Sequence, residues 1–262
     1  METYDGGWFA TDNEGTLAVN VTVDGVPASF VYSTDSNTDD GAVNTVEAAR
    51  TFELAKNVGG VFVGGMWLRD GLYLDSDHWG VRTEDTVDKD AGYAYYKDGV
   101  LTLHDFTWTA QGDYNMVDAY HPLTIKTELS STLTSPNANG IVTGSSLTLE
   151  GDGDLTLITN GEGIFATGDV TVNSGTVVVK DNKYDGLWLY KSLTVNGGTL
   201  DVYGPQCGIN GDDYPPVTVN GGTLIARTPI DYAIAWCDVS IADGATVTGK
   251  IQRIEFGEDA AL

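Results

Sequence analysis

Five aromatic residues fall at spacings that bring them towards one surface of a repetitive chain. Phe165 and Trp188 are 23 positions apart, and Tyr190 follows Trp188 by two positions on the same side of an extended strand. Tyr184 and Tyr203 lie near the turns of the same segments and extend the candidate surface. The apolar C–H face of a pyranose ring stacks on an aromatic ring, so exposed aromatic residues of this kind predict a carbohydrate contact surface. The alternative is that the N-terminal region covers them.

An acidic stretch, DSNTDDG at residues 35–41, has oxygen donors at alternate positions and precedes a segment of good helix formers over 45–56. Calcium is a hard cation that takes about six to eight oxygen ligands. The stretch departs from an EF-hand loop in the positions of its glycine and of its final acid. It predicts calcium as a structural cofactor, with the ligands Asp35, Asn37, Asp39 and Glu47. The alternative is a solvated acidic turn before a helix.

Catalytic chemistry has weaker candidates. A pectate-lyase-type site needs a basic residue beside a carboxylate, together with acids that hold calcium. Lys180, Lys183 and Arg227 are the basic candidates, but they fall at uneven offsets in the repeat. We therefore expect no enzyme, and keep a polysaccharide lyase as the third hypothesis.

The charge balance restricts the partners. The chain has 262 residues, with 38 acidic and 13 basic side chains and a formal net charge of −25. Such a field repels nucleic acid and anionic membrane surfaces. No run of 18 apolar residues is present, which predicts no membrane insertion. The first residues lack the basic and apolar segments of a signal peptide. The protein is therefore either intracellular or secreted with its signal peptide removed, and we expect the second.

A repeat positions these side chains. LTVNGGTL at 193–200 recurs as VTVNGGTL at 217–224, and similar triplets begin at 101, 123, 147, 170 and 239. A second series has Ile or Leu at 141, 164, 187, 209 and 234, and a third has aliphatic residues at 133, 155, 177, 200 and 224. A fixed period of this size is typical of a solenoid, and the alternation within each triplet indicates strands. Each period therefore predicts three short strands of a parallel β-helix.

The alternation also assigns the sides of each strand. The flanking aliphatic residues of the triplets point inward, and the middle residues form an exterior row at 102, 124, 148, 171, 194, 218 and 240. The asparagines before the Gly residues, at 173, 196 and 220, are expected to stack as an amide ladder at a corner of the coil. We predict six or seven coils over residues 100–262, which end in a C-terminal cap.

Residues 1–99 lack the period and predict an N-terminal α+β capping region packed on the solenoid. The residues from Leu17 alternate around Asp24-Gly25, and those from Gly92 alternate around Asp98-Gly99. Both patterns predict a β-hairpin.

The phrases GDGDLTLITNGEGIFATGDVTVNSGTVVV and DGLWLYKSLTVNGGTLDV resemble the carbohydrate-binding-domain proteins of secreted and surface-anchored clostridial and gut Firmicutes chains. The leader GGVFVGGMWLRDG is similar to the segment that often opens such regions. The resemblance covers residues 60–248. It implies a right-handed parallel β-helix of pectate-lyase-like shape, an extracellular location, binding of polysaccharide and often bound calcium.

Together these features predict non-catalytic binding of extracellular polysaccharide or a cell-surface glycan by a secreted or cell-surface bacterial protein, with flanking domains as further partners. The alternative is a structural or adhesive spacer, an adhesin domain that binds no glycan itself.

Overall fold

The computed structural model describes residues 16–23, 26–33 and 60–252. The chain forms two compact units, residues 1–57 and residues 58–262. In the first unit, β1 (Thr16–Val23) pairs antiparallel with β2 (Val26–Ser33). This confirms the hairpin predicted around Asp24-Gly25. Three segments lie outside the described residues: the predicted calcium loop, the predicted helix over 45–56 and the tail beyond residue 252.

The second unit begins with four strands and continues as a β-solenoid. The first four are β3 (Val61–Val63), β4 (Met66–Leu68), β5 (Leu72–Asp75) and β6 (Tyr93–Lys97). Coil 1 contains β7 (Val100–His104), β8 (Thr107–Thr109) and β9 (Val117–Ala119); coil 2 contains β10 (Leu123–Thr127), β11 (Ser131–Ser135) and β12 (Ile141–Thr143); coil 3 contains β13 (Leu147–Gly151), β14 (Asp154–Thr159) and β15 (Ile164–Ala166). Coil 4 contains β16 (Val170–Val172), β17 (Thr176–Lys180) and β18 (Leu187–Leu189); coil 5 contains β19 (Leu193–Val195), β20 (Thr199–Tyr203) and β21 (Ile209–Gly211); coil 6 contains β22 (Pro216–Val219), β23 (Thr223–Arg227) and β24 (Ile234–Ala235). A partial seventh coil contains β25 (Asp238–Ile241) and β26 (Thr246–Thr248).

Three sheets run along the solenoid. Sheet 1 is built from the first strand of each coil, sheet 2 from the second and sheet 3 from the third, and strands of neighbouring coils pair in parallel. The predicted fold class, a mainly β parallel solenoid with coils of about 23 residues, is confirmed. The described residues contain no helix, so none of them forms a helix long and apolar enough to cross a membrane.

The core follows from the alternation. Leu147, Val170, Leu193 and Val217 align in consecutive coils of sheet 1 and are fully buried. Each inward aliphatic residue stacks on its equivalents in the coils before and after it, so the coils share one hydrophobic core. Burial of this apolar area is the main term that stabilises the solenoid.

The predicted register is wrong between coils 1 and 2 in sheet 1 and between coils 2 and 3 in sheet 2. Leu101 pairs with Ile125 rather than Leu123, and Thr102 therefore pairs with Lys126 and leaves the exterior Thr row. Leu133 of sheet 2 pairs with Leu157 rather than Leu155. A shift of two residues keeps every side chain on the same face, so the hydrophobic pattern cannot distinguish these registers.

Antiparallel strands extend the N-terminal end of the solenoid. The predicted hairpin from Gly92 is confirmed as β6–β7, and its turn residues Asp98 and Gly99 have φ of 50° and 83°. Two consecutive positive φ angles are the signature of a type I′ turn. The strand pair β3–β4 extends sheet 3, and β5–β6 extends sheet 1. A capping role for residues 1–99 as a whole stays a prediction.

The amide ladder at the N-G-G corner is confirmed. Asn196 donates a hydrogen bond to Oδ1 of Asn173, and Asn220 donates one to Oδ1 of Asn196, at 3.0 and 2.9 Å. Gly198 follows with a φ of 71°, and a Cβ atom at this position would lie 2.4 Å from the carbonyl oxygen of Gly175. The repeated N-G-G therefore forms the corner between sheet 1 and sheet 2.

Candidate functional site

The outer face of sheet 3 presents one side chain from the middle of each strand. The parallel register aligns these positions in neighbouring coils. From coil 1 to coil 6 the row reads Asp118, Val142, Phe165, Trp188, Asn210 and Ala235. The repeat period alone predicts the alignment from coil 2 onward.

Phe165, Trp188 and Tyr190 form one aromatic cluster on this face. The ring centroids of Phe165 and Trp188 are 6.4 Å apart, and that of Tyr190 lies 5.6 Å from Phe165 and 6.5 Å from Trp188. Phe165 and Trp188 are half-buried, whereas Tyr190 is 43% exposed. The rings are tilted or edge-on to one another, and Tyr190 is the most exposed of the three.

The two other predicted aromatic residues lie elsewhere. Tyr184 is in the turn between β17 and β18, where Nζ of Lys183 lies 5.1 Å from its ring centroid. Tyr203 ends β20 on sheet 2 and pairs with Arg227 of the next coil. Among the described residues, ring contacts join Phe165, Trp188 and Tyr190 to one another but do not include Tyr184 or Tyr203.

The predicted calcium ligands Asp35, Asn37, Asp39 and Glu47 lie outside the described residues, so the structure does not test them. Within the described ranges, no group of three or more His, Cys, Asp or Glu side chains is placed to hold a metal. The calcium site therefore stays a prediction.

A column of polar side chains lies at the turn before sheet 3, two residues ahead of each strand. Asn139 N–H donates to Oδ1 of Asn115, and Glu162 N–H donates to Oδ1 of Asn139. One coil later, Asp185 N–H donates to Oε2 of Glu162 at 2.7 Å. The backbone N–H of Cys207 completes the series by donating to Oδ1 of Asp185 at 2.8 Å. Each side chain therefore holds the backbone of the following coil.

Two carboxyl groups follow one another in this column. Burial raises the pKa of Glu162 from its ordinary value of 4.5 to about 7, against the hydrogen bond from Asp185 N–H, and the charge of Asp185 raises it further. The Asp185 carboxyl is fully buried, and burial raises its pKa as well, although Asn210 donates to Oδ2 at 3.0 Å. The sequence analysis did not single out this column, although its members recur at the period of the repeat.

A second aromatic pair lies at the corner where sheet 3 leads into sheet 1, which we call the 3–1 corner. Tyr214 follows β21 and Trp236 follows β24, with ring centroids 5.6 Å apart. Tyr214 is 36% exposed and Trp236 is 50% exposed. This pair was not predicted, because two extra residues in the turn before β22 displace Tyr214 from the repeat. An aromatic residue in each consecutive turn, beginning with Tyr190, is the signal that identifies it.

The basic candidates for lyase chemistry lie on and beside sheet 2. Arg227 forms an ion pair with Asp201 of the preceding coil, and Lys183 faces the ring of Tyr184. Cys207 and Cys237 are both free thiols.

The family model for carbohydrate-binding domain-containing proteins matches residues 106–252, which is more than half of the chain. The chain belongs to this family. The match covers nearly all of the solenoid and includes the aromatic cluster, the Tyr214–Trp236 pair and the polar column. No curated protein and no solved structure matches the chain.

Proposed function

We propose that the protein binds an uncharged extracellular polysaccharide without cleaving it, and that Phe165, Trp188 and Tyr190 are the stacking surface. The observation that carries the proposal is the contact of these three rings on the outer face of sheet 3, in a chain of the carbohydrate-binding domain family. Ring faces stack on the apolar faces of sugars, and nearby amide or carboxyl groups bind their hydroxyls. Asn210, next to Trp188 in the row, is such a group.

The charge supports an uncharged ligand. The chain carries a formal net charge of −25, which repels a polysaccharide built from uronic acids. A secreted or cell-surface location is part of the proposal, because that is where such polysaccharides are met.

A non-catalytic role agrees with the state of the nearest carboxyl groups. Glu162 and Asp185 both accept hydrogen bonds from the backbone of the following coil. A carboxyl group engaged in this way supports the backbone and is poorly placed to transfer a proton to a ligand. The ion pair of Arg227 with Asp201 likewise occupies a basic group that a lyase would need.

The test is the substitution Trp188→Ala, with affinity measured by titration calorimetry against ligands chosen from a glycan array. We expect at least tenfold weaker binding, which is about 1.4 kcal/mol, in a variant that is less stable than wild type but still folded at the temperature of the titration. The matched control is Trp79→Ala, which removes an exposed indole that stacks on Trp108 rather than on the aromatic cluster. Unchanged affinity of folded Trp188→Ala contradicts the proposed site.

A cleavage assay on the same polysaccharides separates the hypotheses. Binding without new reducing ends supports the proposal, and release of unsaturated products indicates a lyase. An array without any ligand favours the structural spacer.

A further inference from the structure

We infer that the polysaccharide runs along the solenoid axis from the aromatic cluster towards the C-terminal end, and that Tyr214 and Trp236 form a second stacking point. This inference rests on the proposed function. It names a binding site outside the Phe165–Trp188–Tyr190 cluster and specifies the ligand as the interior of a long, uncharged chain rather than a single sugar or a chain end.

Aromatic rings follow one another along the solenoid from coil 3 to coil 6. Phe165 belongs to coil 3, Trp188 and Tyr190 to coil 4, Tyr214 to the turn that leaves coil 5, and Trp236 to the turn that leaves coil 6. Each coil from 3 to 6 therefore has an aromatic ring at the outer face of sheet 3 or at the 3–1 corner. Neighbouring strands lie about 4.8 Å apart, so coil 6, which is three coils after coil 3, lies about 14 Å from it along the solenoid axis. A surface of this length contacts several consecutive sugar rings.

The backbone of the second pair adopts an uncommon conformation. Tyr214 and Trp236 have φ angles of 55° and 54°. Bulky residues rarely adopt this left-handed conformation, and strained conformations of this kind concentrate at ligand sites. Both turns use a conformation that suits Gly or Asn, yet both have an exposed aromatic residue there. The geometry projects the two rings from the corner and brings their centroids to 5.6 Å.

Polar side chains lie beside the rings of both stacking points. Asn210 follows Trp188 in the outer row of sheet 3, and its amide is oriented by the hydrogen bond to Oδ2 of Asp185. At the 3–1 corner, the exposed carboxylates Asp212 and Asp213 adjoin Tyr214, and Lys191 adjoins Tyr190. Carboxylates accept hydrogen bonds from sugar hydroxyls but repel a uronic acid. The surroundings of the second pair therefore favour an uncharged chain.

The opposite direction along the solenoid is interrupted. Coil 2 presents Val142 in the outer row and Gly144 at the 3–1 corner, so one coil without a ring separates Phe165 from Tyr120 of coil 1. Beyond Asp118, Phe62 and Trp67 form another exposed pair with ring centroids 4.5 Å apart. These rings lie on the same face, but no continuous series connects them to Phe165. They supply a matched control.

The test measures affinity against chain length. The probes are β-1,4-linked glucose, mannose and xylose oligosaccharides, each as the disaccharide, tetrasaccharide, hexasaccharide and octasaccharide, and titration calorimetry measures each affinity. For wild-type protein we expect affinity to rise at least tenfold between the disaccharide and the octasaccharide of the preferred series. Trp236→Asn should weaken binding of the octasaccharide at least fivefold and leave the affinity for the disaccharide unchanged. Trp67→Ala should change neither.

The variants distinguish this inference from the proposed function. Tyr214→Asn is the second variant, and a thermal melt establishes that each variant is folded. One outcome is that Trp188→Ala abolishes binding, while the affinities of Trp236→Asn and Tyr214→Asn still rise with chain length as in wild type. The second stacking point is then wrong, and the proposed function stands. If instead the affinity of Trp67→Ala no longer rises with oligosaccharide length, the polysaccharide runs in the opposite direction along the solenoid. If wild-type protein binds none of the probes and no array ligand, both proposals fail.

Discussion

The Glu162 carboxylate accepts a hydrogen bond of 2.7 Å from the backbone N–H of Asp185, the residue at the equivalent turn of the next coil. The Asp185 carboxylate in turn accepts one from the N–H of Cys207. Each acid therefore stabilises the coil that follows it, but the two acids also lie next to each other in a partly desolvated turn. When both are ionised, their mutual repulsion opposes the hydrogen bonds that hold the turns together.

This arrangement predicts a stability that falls as pH rises. The pKa of Glu162 is about 7 in the folded protein against an ordinary value of 4.5, so the folded state binds the proton more tightly than the unfolded chain. The corresponding stabilisation is fully present below pH 4.5 and is lost as pH rises to about 7. Glu162→Gln keeps an acceptor for Asp185 N–H and removes the charge. We expect it to be more stable than wild type at pH 8, by about 1 kcal/mol after allowance for solvent screening.

Urea unfolding at pH 4 and pH 8 measures this difference, which should shrink at the lower pH. Asp152→Asn is the control, because it removes one negative charge from an exposed corner residue. An equal gain in both variants would assign the effect to the net charge of the protein rather than to the acid pair.

The N-G-G corner predicts a large cost for Gly198→Ala. The alanine would have to adopt a φ of 71° with its Cβ 2.4 Å from the Gly175 carbonyl oxygen. The left-handed conformation alone costs about 1–2 kcal/mol, so with the added contact we expect about 2–4 kcal/mol of destabilisation. Gly71→Ala is matched, since Gly71 has a φ of 76° but no atom within 4 Å of the added Cβ. Equal costs in thermal unfolding would mean that the coil relaxes around Gly198.

The strained turn at Trp236 predicts an unusual order of stabilities. Asn tolerates positive φ better than Ala, so Trp236→Asn should be more stable than Trp236→Ala by about 1 kcal/mol. Chemical denaturation of the two variants measures the difference. Ile230 is exposed and is not among the described residues with positive φ, so its Asn and Ala variants should not show this preference. An Ala variant at position 236 as stable as the Asn variant would rule out strain at this turn.

The acidic loop predicts a response to calcium. If Asp35, Asn37, Asp39 and Glu47 bind the ion, calcium should raise the melting temperature because it binds the folded state only. At a calcium concentration about one hundred times the dissociation constant, the stabilisation is about 2.7 kcal/mol. Asp39→Asn should reduce this shift, and a chelator should reverse it. Identical melts with calcium and with chelator would exclude a structural site at this loop.

The sequence was most informative where the period and the alternation agree. From coil 2 onward, the period places Phe165 next to Trp188, and the alternation places both outside the core, as the structure shows. The series of asparagines that ends in Asn220 likewise predicted an amide ladder, and the structure contains it. These features depend on local strand geometry repeated at a fixed interval, which a single sequence records directly.

The turns were less predictable. Tyr184 and Tyr203 are close to Trp188 along the chain, but Tyr184 lies in the turn after β17 and Tyr203 lies at the end of a strand of sheet 2. Tyr214 and Trp236 come together because two extra residues displace Tyr214 from the repeat and positive φ angles redirect both turns. The direction of a turn depends on dihedral angles that residue types constrain only weakly.

Strand periodicity and the mean length of the coil follow from the amino-acid sequence, because a solenoid buries its aliphatic residues only if each coil repeats the pattern of the last. The register of Leu101 with Ile125, the acid pair of Glu162 and Asp185, and the series of rings that ends at Trp236 required the tertiary structure. Registers that differ by two residues bury the same side chains, and groups in different coils meet only when every intervening turn has its final path.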